Sequence, residues 1–292
     1  MNAFPRPVLA ALFDAVELND VVDPVVRLPQ PLPLACDAAQ MQRCFALCLQ
    51  FWEEGADRTE LLALTRTLLR TGDLSADARR RYKLIRARYK QLRFALVLYT
   101  AQHKVPPLLR AKVAVLGHLQ DAFKLERRRA VTGYAMVLRA LLSWPAWRAV
   151  RREIAGVKID DAEGFERFRK SEIARLRRWL AEPEITAHRF HAMRKIVSRQ
   201  VSFYDTLRSL EPDERYLGMS RYLSAINGLM GSQHDDLVDE AFAGRRDYHR
   251  DGVALSDDVR ARLQALVAAY PAEEPLPRTR LRKAQAPRVR PS

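Results

Sequence analysis

Lys83-Leu84-Ile85-Arg86-Ala87-Arg88-Tyr89-Lys90-Gln91-Leu92-Arg93 and His191-Ala192-Met193-Arg194-Lys195-Ile196-Val197-Ser198-Arg199 are two versions of one helical pattern. At about 100° per residue, Lys83, Arg86, Lys90 and Arg93 fall within an arc of roughly 80° on one helix, and Arg79 extends that basic stripe backwards by a turn. Another face carries Ile85, Tyr89, Leu92, Leu96 and Tyr99, an apolar band suited to a core. A shift of 108 positions takes Lys83 to His191 and Arg86 to Arg194. The same shift takes Ile85, Tyr89, Leu96 and Tyr99 to Met193, Val197, Tyr204 and Leu207. Both faces repeat together. In the second copy Ser198 and Val201 stand where Lys90 and Arg93 stand in the first, with Lys195 and Arg199 at the edge of the stripe.

Downstream of each copy comes an apolar residue, Gly, three spacers and Asp. The first reads Leu116-Gly117-His118-Leu119-Gln120-Asp121 and the second Met230-Gly231-Ser232-Gln233-His234-Asp235. Gly117 and Gly231 would let two helices approach closely. Asp121 and Asp235, one turn later, would accept bonds from the basic stripe and orient it, or would cap the next helix. A unit that occurs twice and presents cations both times points to a shared site for a large anion.

The remaining pattern is helical almost throughout. Helices are expected at 37–54, 57–71, 75–103, 107–122, 124–143, 145–156, 161–182, 185–210, 213–231, 233–243 and 256–269. Breaks fall at Gly72-Asp73, Pro106-Pro107, Pro145, Pro183, Pro212 and Gly252. Alternating β-branched runs are missing, so the fold class is all-α. Residues 1–34 read as an N-terminal segment and a linker made extended by Pro24, Pro29, Pro31 and Pro33. Residues 35–270 form the helical domain, with repeat one at about 57–143 and repeat two at about 161–245. Residues 271–292 form a basic tail with the composition of a disordered one.

The net charge of +15 over 292 residues favours a polyanionic partner: nucleic acid, anionic lipid or a phosphate polymer. The tail supplies Arg278, Arg280, Arg282, Lys283, Arg288 and Arg290, yet the body remains strongly basic without them. Cys36, Cys44 and Cys48 are an odd set without disulfide spacing, and Cys44 and Cys48 fit core packing better than a metal site. Residues 1–23 lack the basic start and continuous apolar stretch of a signal peptide, and no apolar run approaches the ~18–20 residues of a membrane span. A cytoplasmic protein without cofactor or metal is the expectation.

On these motifs the chain resembles the CHAD domain family, the helical domain named for its histidines. His191-Ala192-Met193-Arg194-Lys195 matches that family's His-x-x-Arg helix start, and the two Gly-x-x-x-Asp elements match its downstream motif. The resemblance covers roughly residues 37–245. Lys83 in place of the first His, and Ser198 and Val201 in place of cations, mark the chain as divergent. What the resemblance implies is two pseudo-symmetric four-helix bundles from an internal duplication, with a basic cleft between them. It also implies binding of inorganic polyphosphate by Arg79, Lys83, Arg86, Lys90, Arg93, His191, Arg194, Lys195 and Arg199, and association with polyphosphate granules. The triphosphate-tunnel domain that often accompanies the family has a Glu-x-Glu-x-Lys signature, which is absent from this sequence. His188, Arg189, Arg110, Lys112 and Arg221 are further candidate contacts.

Two other readings compete. A nucleic-acid-binding helical protein would use Tyr82, Tyr89, Phe190 and Phe203 to stack on bases. A Mg²⁺-dependent prenyl-diphosphate enzyme would use Asp235, Asp236 and Asp239, which share a helix face, with Arg245-Arg246 nearby. Against the latter, no second Asp-Asp-x-x-Asp exists and few residues follow. Phosphate-binding loops, dinucleotide fingerprints and nucleophile elbows are also missing, so no enzymatic activity is expected.

Overall fold

The computed structural model describes residues 3–19, 21–245, 247 and 250–271. Among these are eleven helices: α1 Arg6–Glu17, α2 Ala38–Gly55, α3 Arg58–Thr71, α4 Ala76–Tyr99, α5 Pro107–Lys124, α6 Arg128–Leu141, α7 Trp144–Ala155, α8 Ala162–Leu180, α9 Ala187–Leu210, α10 Glu214–Phe242 and α11 Asp257–Ala269. One small antiparallel sheet pairs β1 (Ile185–Thr186) with β2 (Gly252–Val253). The fold is all-α. The tail expected to be disordered lies outside the described residues, apart from Pro271.

Local chemistry sets the helix starts. Asp57, Ser75, Asp161, Thr186 and Asp213 cap α3, α4, α8, α9 and α10 through side-chain oxygens. Asp37 and Gln40 form a reciprocal capping box on α2. Pro107 and Pro145 sit in the first turns of α5 and α7, where a missing N–H costs nothing. Gly72, at φ 82°, ends α3 in the left-handed region.

The helices pack as two rings of four. In one, α3 meets α4, α4 meets α5, α5 meets α6, and α6 returns to α3; in the other, α8, α9, α10 and α11 close in the same order. The rings join where α4 packs on α9, with α2 laid across both. At that joint Gln91 of α4 is 2% exposed, and its amide donates to Thr206 Oγ1 at 3.1 Å and to the Ser202 carbonyl at 3.4 Å. Toward the end of α4, Tyr99, Phe165 and Phe203 gather α4, α8 and α9 into one aromatic cluster.

Three expectations are corrected. The helices expected over 213–231 and 233–243 are the single helix α10, Glu214–Phe242, with no break between them. The helix expected over 75–103 ends at Tyr99, because Thr100 turns extended and bridges to Ile159. The N-terminal segment contains α1, whose Leu12 packs with Leu47 and Phe51 of α2, and α1 lies against α9. The Pro-rich stretch that follows is extended as expected, but it is a strap bound to the body. Val26, Leu28, Leu32 and Leu34 pack on the core. Arg262 Nη2 donates to the Pro24 carbonyl, Tyr204 Oη to Pro33 and Arg169 Nη1 to Leu34, each at 3.1 Å.

Two buried cations stand out in the body. Arg169 is 4% exposed; its Nη2 donates to Gln200 Oε1, Tyr204 Oη and Tyr270 Oη, and the Phe203 ring lies 4.0 Å from its guanidinium carbon, while its Nε is buried without a partner. Lys112 of α5 is fully buried, and its Nζ lies 4.6 Å from the Trp147 ring centroid without a hydrogen bond. Burial, and then the nearby Arg58 charge, push the Lys112 amine down to about 8. Its folded value lies below the unfolded one, so stability rises with pH between about 8 and 10.5, and below 8 the charged amine burdens the fold at full strength. Lys112→Met should therefore stabilise the protein at pH 7 by about 1–3 kcal/mol, raising Tm by a few degrees, with the gain shrinking above pH 8. Thermal melts at pH 7 and pH 10 check this; a lowered Tm at pH 7 would show that the amine has a role in the fold.

Candidate functional site

The stripe helices are the two that join the rings, so their cations meet at the centre of the molecule. Each copy uses the same device. The guanidinium of Arg86 lies over Gly117 of α5, such that a methyl carbon built on that glycine would be 3.5 Å from Nη2. The guanidinium of Arg194 lies over Gly231 of α10, with the matching distance 3.0 Å. The glycines make shelves for arginine side chains rather than contacts between helix backbones. Tyr82 of α4 donates to the Leu116 carbonyl at 3.0 Å, fixing α4 against α5 just beside the first shelf.

Around these shelves the cations act on one another. Burial lowers the pKa of Arg93, and the charges of Arg199 and Arg86 lower it further. Burial also lowers that of Lys195, with Arg93 and Arg199 adding to it. Residues from both stripes thus share one half-buried electropositive region. Among the described residues, Lys83, Arg86, Arg93, Arg194 and Lys195 form no ion pair with a carboxylate. The Arg194 Nε and His191 Nδ1 atoms are buried without a hydrogen-bond partner. Half-buried cations without counter-charges are costly, and such strain marks functional sites.

The remaining stripe residues divide. Lys83 is exposed at the upper end. Arg79 is committed to Asp73, through two hydrogen bonds, and lies at the margin. Lys90 rides 5.7 Å from the Phe94 ring. Arg199, 13% exposed in its side chain, is bound by the fully buried Glu172 of α8, which also accepts from Arg175 at 3.4 Å. Ser198 and Val201 are buried; the Ser198 hydroxyl donates to Asn227 Oδ1 at 2.7 Å. The second stripe therefore keeps its upper half and gives its lower half to the core.

The orienting role expected of Asp121 and Asp235 is not what the geometry shows. Both are exposed and lie inside helices, so neither is a cap, and neither bonds an arginine of the stripes. Asp235 approaches His234 at 3.7 Å. His234, a spacer within the second motif, is the residue that the sequence reading left out: its ring centroid lies 5.0 Å from that of His191. Burial lowers both imidazoles. For His191, Lys195, His234, Arg194 and Arg93 add to burial, taking it to about 3. For His234, Arg194 adds to burial while Asp235 and Asp121 oppose it. In the free protein, His191 is thus a neutral hydrogen-bonding group throughout the physiological range.

The other candidate contacts are dispersed. Arg189 pairs with Glu182, and Lys112 is sealed in the first ring. The aromatics proposed to stack on bases, Tyr82, Tyr89, Phe190 and Phe203, are all buried in the core. Asp235, Asp236 and Asp239 are exposed along α10. Among the described residues no group of three or more His, Cys, Asp or Glu could hold a metal ion. Cys44 and Cys48 are buried, and burial raises both thiols. Arg246, named with the carboxylates, lies outside the described residues.

Two predictions follow from this geometry. The C–H resonances of His191 should stay fixed between about pH 5 and 8 in the free protein; a midpoint near 6.5 in an NMR titration would mean that the cationic surroundings are absent. Gly117→Leu/Gly231→Leu should displace both guanidiniums without lowering Tm, since glycine is the poorer helix former by about 1 kcal/mol. Weaker anion binding at unchanged Tm is the expected result. No protein-family model matches the chain, and no curated protein or solved structure is significantly similar to it.

Proposed function

We propose that this chain is a divergent, stand-alone member of the CHAD domain family that binds inorganic polyphosphate without catalysis. The observation that carries the reading is the convergence of half-buried, unpaired cations from α4 and α9 on one region. A flexible polyanion with a charge on every unit would neutralise that region and release counterions. Arg86, Arg93 and Arg194 would grip pairs of phosphate oxygens, Lys195 would act as a point charge, and His191 and His234 would add hydrogen bonds.

The recurrence of an arginine on a glycine shelf in each ring, and the matching order of helices around the rings, support an origin by duplication. A cytoplasmic location, including on polyphosphate granules, accords with this reading. Among the described residues no helix is long and apolar enough to cross a membrane. Nucleic acid is the second reading. The basic surface would bind it, but Tyr82, Tyr89, Phe190 and Phe203, the aromatics beside the stripes, are buried and offer bases no platform there.

Calorimetry with long-chain polyphosphate at physiological salt tests the proposal, comparing the full chain, a version ending at Tyr270, and Arg86→Ala/Arg194→Ala. Binding should survive removal of the tail and weaken at least about tenfold in the double variant. Its dependence on salt should be shallower in that variant, because fewer counterions are released. Loss of binding with the tail alone, or equal affinity for duplex DNA, would overturn the reading.

A further inference from the structure

Beyond the shelves, α4 and α9 continue into a chamber of about 830 Å³. Val97, one turn past Arg93, lines it from α4, and Arg199, one turn past Lys195, lines it from α9. A turn is only about 5.4 Å of rise, so the chamber begins where the central cationic region ends. Its size lies within the range of small-molecule sites.

The lining has five Lys or Arg residues, Lys104, Arg110, Lys158, Arg175 and Arg199, against the carboxylates Glu153 and Glu172. Both carboxylates are already engaged. Glu153 accepts from the backbone N–H groups of Leu108 and Leu109 at 3.1–3.2 Å, closing the first turn of α5. Glu172 holds Arg199 and Arg175. Lys104, Arg110 and Lys158 have no carboxylate partner among the described residues. One wall is flat: His103 stacks on Phe168 at 3.9 Å between centroids, and its imidazole is held by the Val97 carbonyl at 2.9 Å and Asp160 at 3.1 Å. The cations therefore stand on a fixed frame.

We propose that this chamber receives the end of a condensed phosphate chain, making it an anchor separable from the central shelves. The inference rests on the polyphosphate reading. A terminal phosphate carries more charge near neutral pH than an internal unit, because its second ionisation has a pKa near ~6. Lys104, Arg110 and Lys158 surround the space into which a chain leaving Arg93 and Lys195 would run. The chamber would thus select chain ends, while the shelves bind any stretch of chain.

The test compares long-chain polyphosphate with the same polymer whose ends are capped as alkyl phosphoramidates, which keep only the single charge of an internal unit, against the full-length protein, Lys104→Ala/Lys158→Ala and Arg86→Ala/Arg194→Ala. The unmodified protein should prefer free ends by about tenfold. The chamber variant should bind both polymers alike, at the affinity that the unmodified protein has for the capped one. The shelf variant should lose affinity for both polymers and keep its preference for free ends. Both chamber lysines are exposed, so far-UV circular dichroism should be unchanged. Binding of both polymers with no preference in the unmodified protein, or a preference that survives in the chamber variant, overturns the chamber while leaving the polyphosphate reading in place. Failure of both polymers to bind the unmodified protein overturns the two together.

Discussion

Everything in the centre of this molecule follows from one conflict: α4 and α9 must bury their seams against each other while carrying cations beside those seams. The seam is joined by Gln91, whose buried amide reaches the Ser202 carbonyl and the Thr206 hydroxyl across the helix pair. A buried amide that is well partnered holds register more strictly than an aliphatic contact would, because slippage leaves donors unmet. With the register held, the long side chains have few places to go. The glycines of α5 and α10 supply shallow floors on which the guanidiniums of Arg86 and Arg194 lie.

Charge is treated differently at different depths. Arg169 is buried among hydroxyls, the Gln200 amide and ring faces. Arg199 is shielded by Glu172. Arg86, Arg93, Arg194 and Lys195 lie nearer the surface and have no carboxylate partner among the described residues. Depth alone does not decide the outcome, since Lys112 is buried with its Nζ unpartnered. Elsewhere arginines pair with Glu182, Glu211 and Asp213; on the reading proposed above, the counter-charge at the centre would come from the bound polyanion.

The helical content and nearly all helix limits were legible from apolar spacing, proline and glycine, and side-chain caps, because these are local signals. The stripes were legible for the same reason. What the sequence could not reveal was depth. Lys112 reads as one more surface cation, yet it is sealed beneath Trp147. Asp121 and Asp235 share the spacing of the motif but face solvent, since the arginines take the glycine shelves instead. His234 was hidden as a spacer because its partner, His191, lies 43 positions away on another helix. Helix α1 was obscured by the prolines that follow it, although Val8, Leu9, Leu12 and Val16 have helical spacing. The helices expected over 213–231 and 233–243 are one, because the rings' packing outweighs the poor helix preference of Gly231.

The N-terminal strap has a consequence for how the chain comes to be folded. Its partners are late in the sequence: Leu34 is held by Arg169, Asn19 by Asn227 and Pro24 by Arg262. During synthesis residues 19–34 must wait for α8, α10 and α11 before they find these partners. Until then the apolar side of α1 has only Leu47 and Phe51 of α2 to cover it. Closure of the strap is therefore a late event, and the apolar side of α1 stays adhesive until α9 has been made.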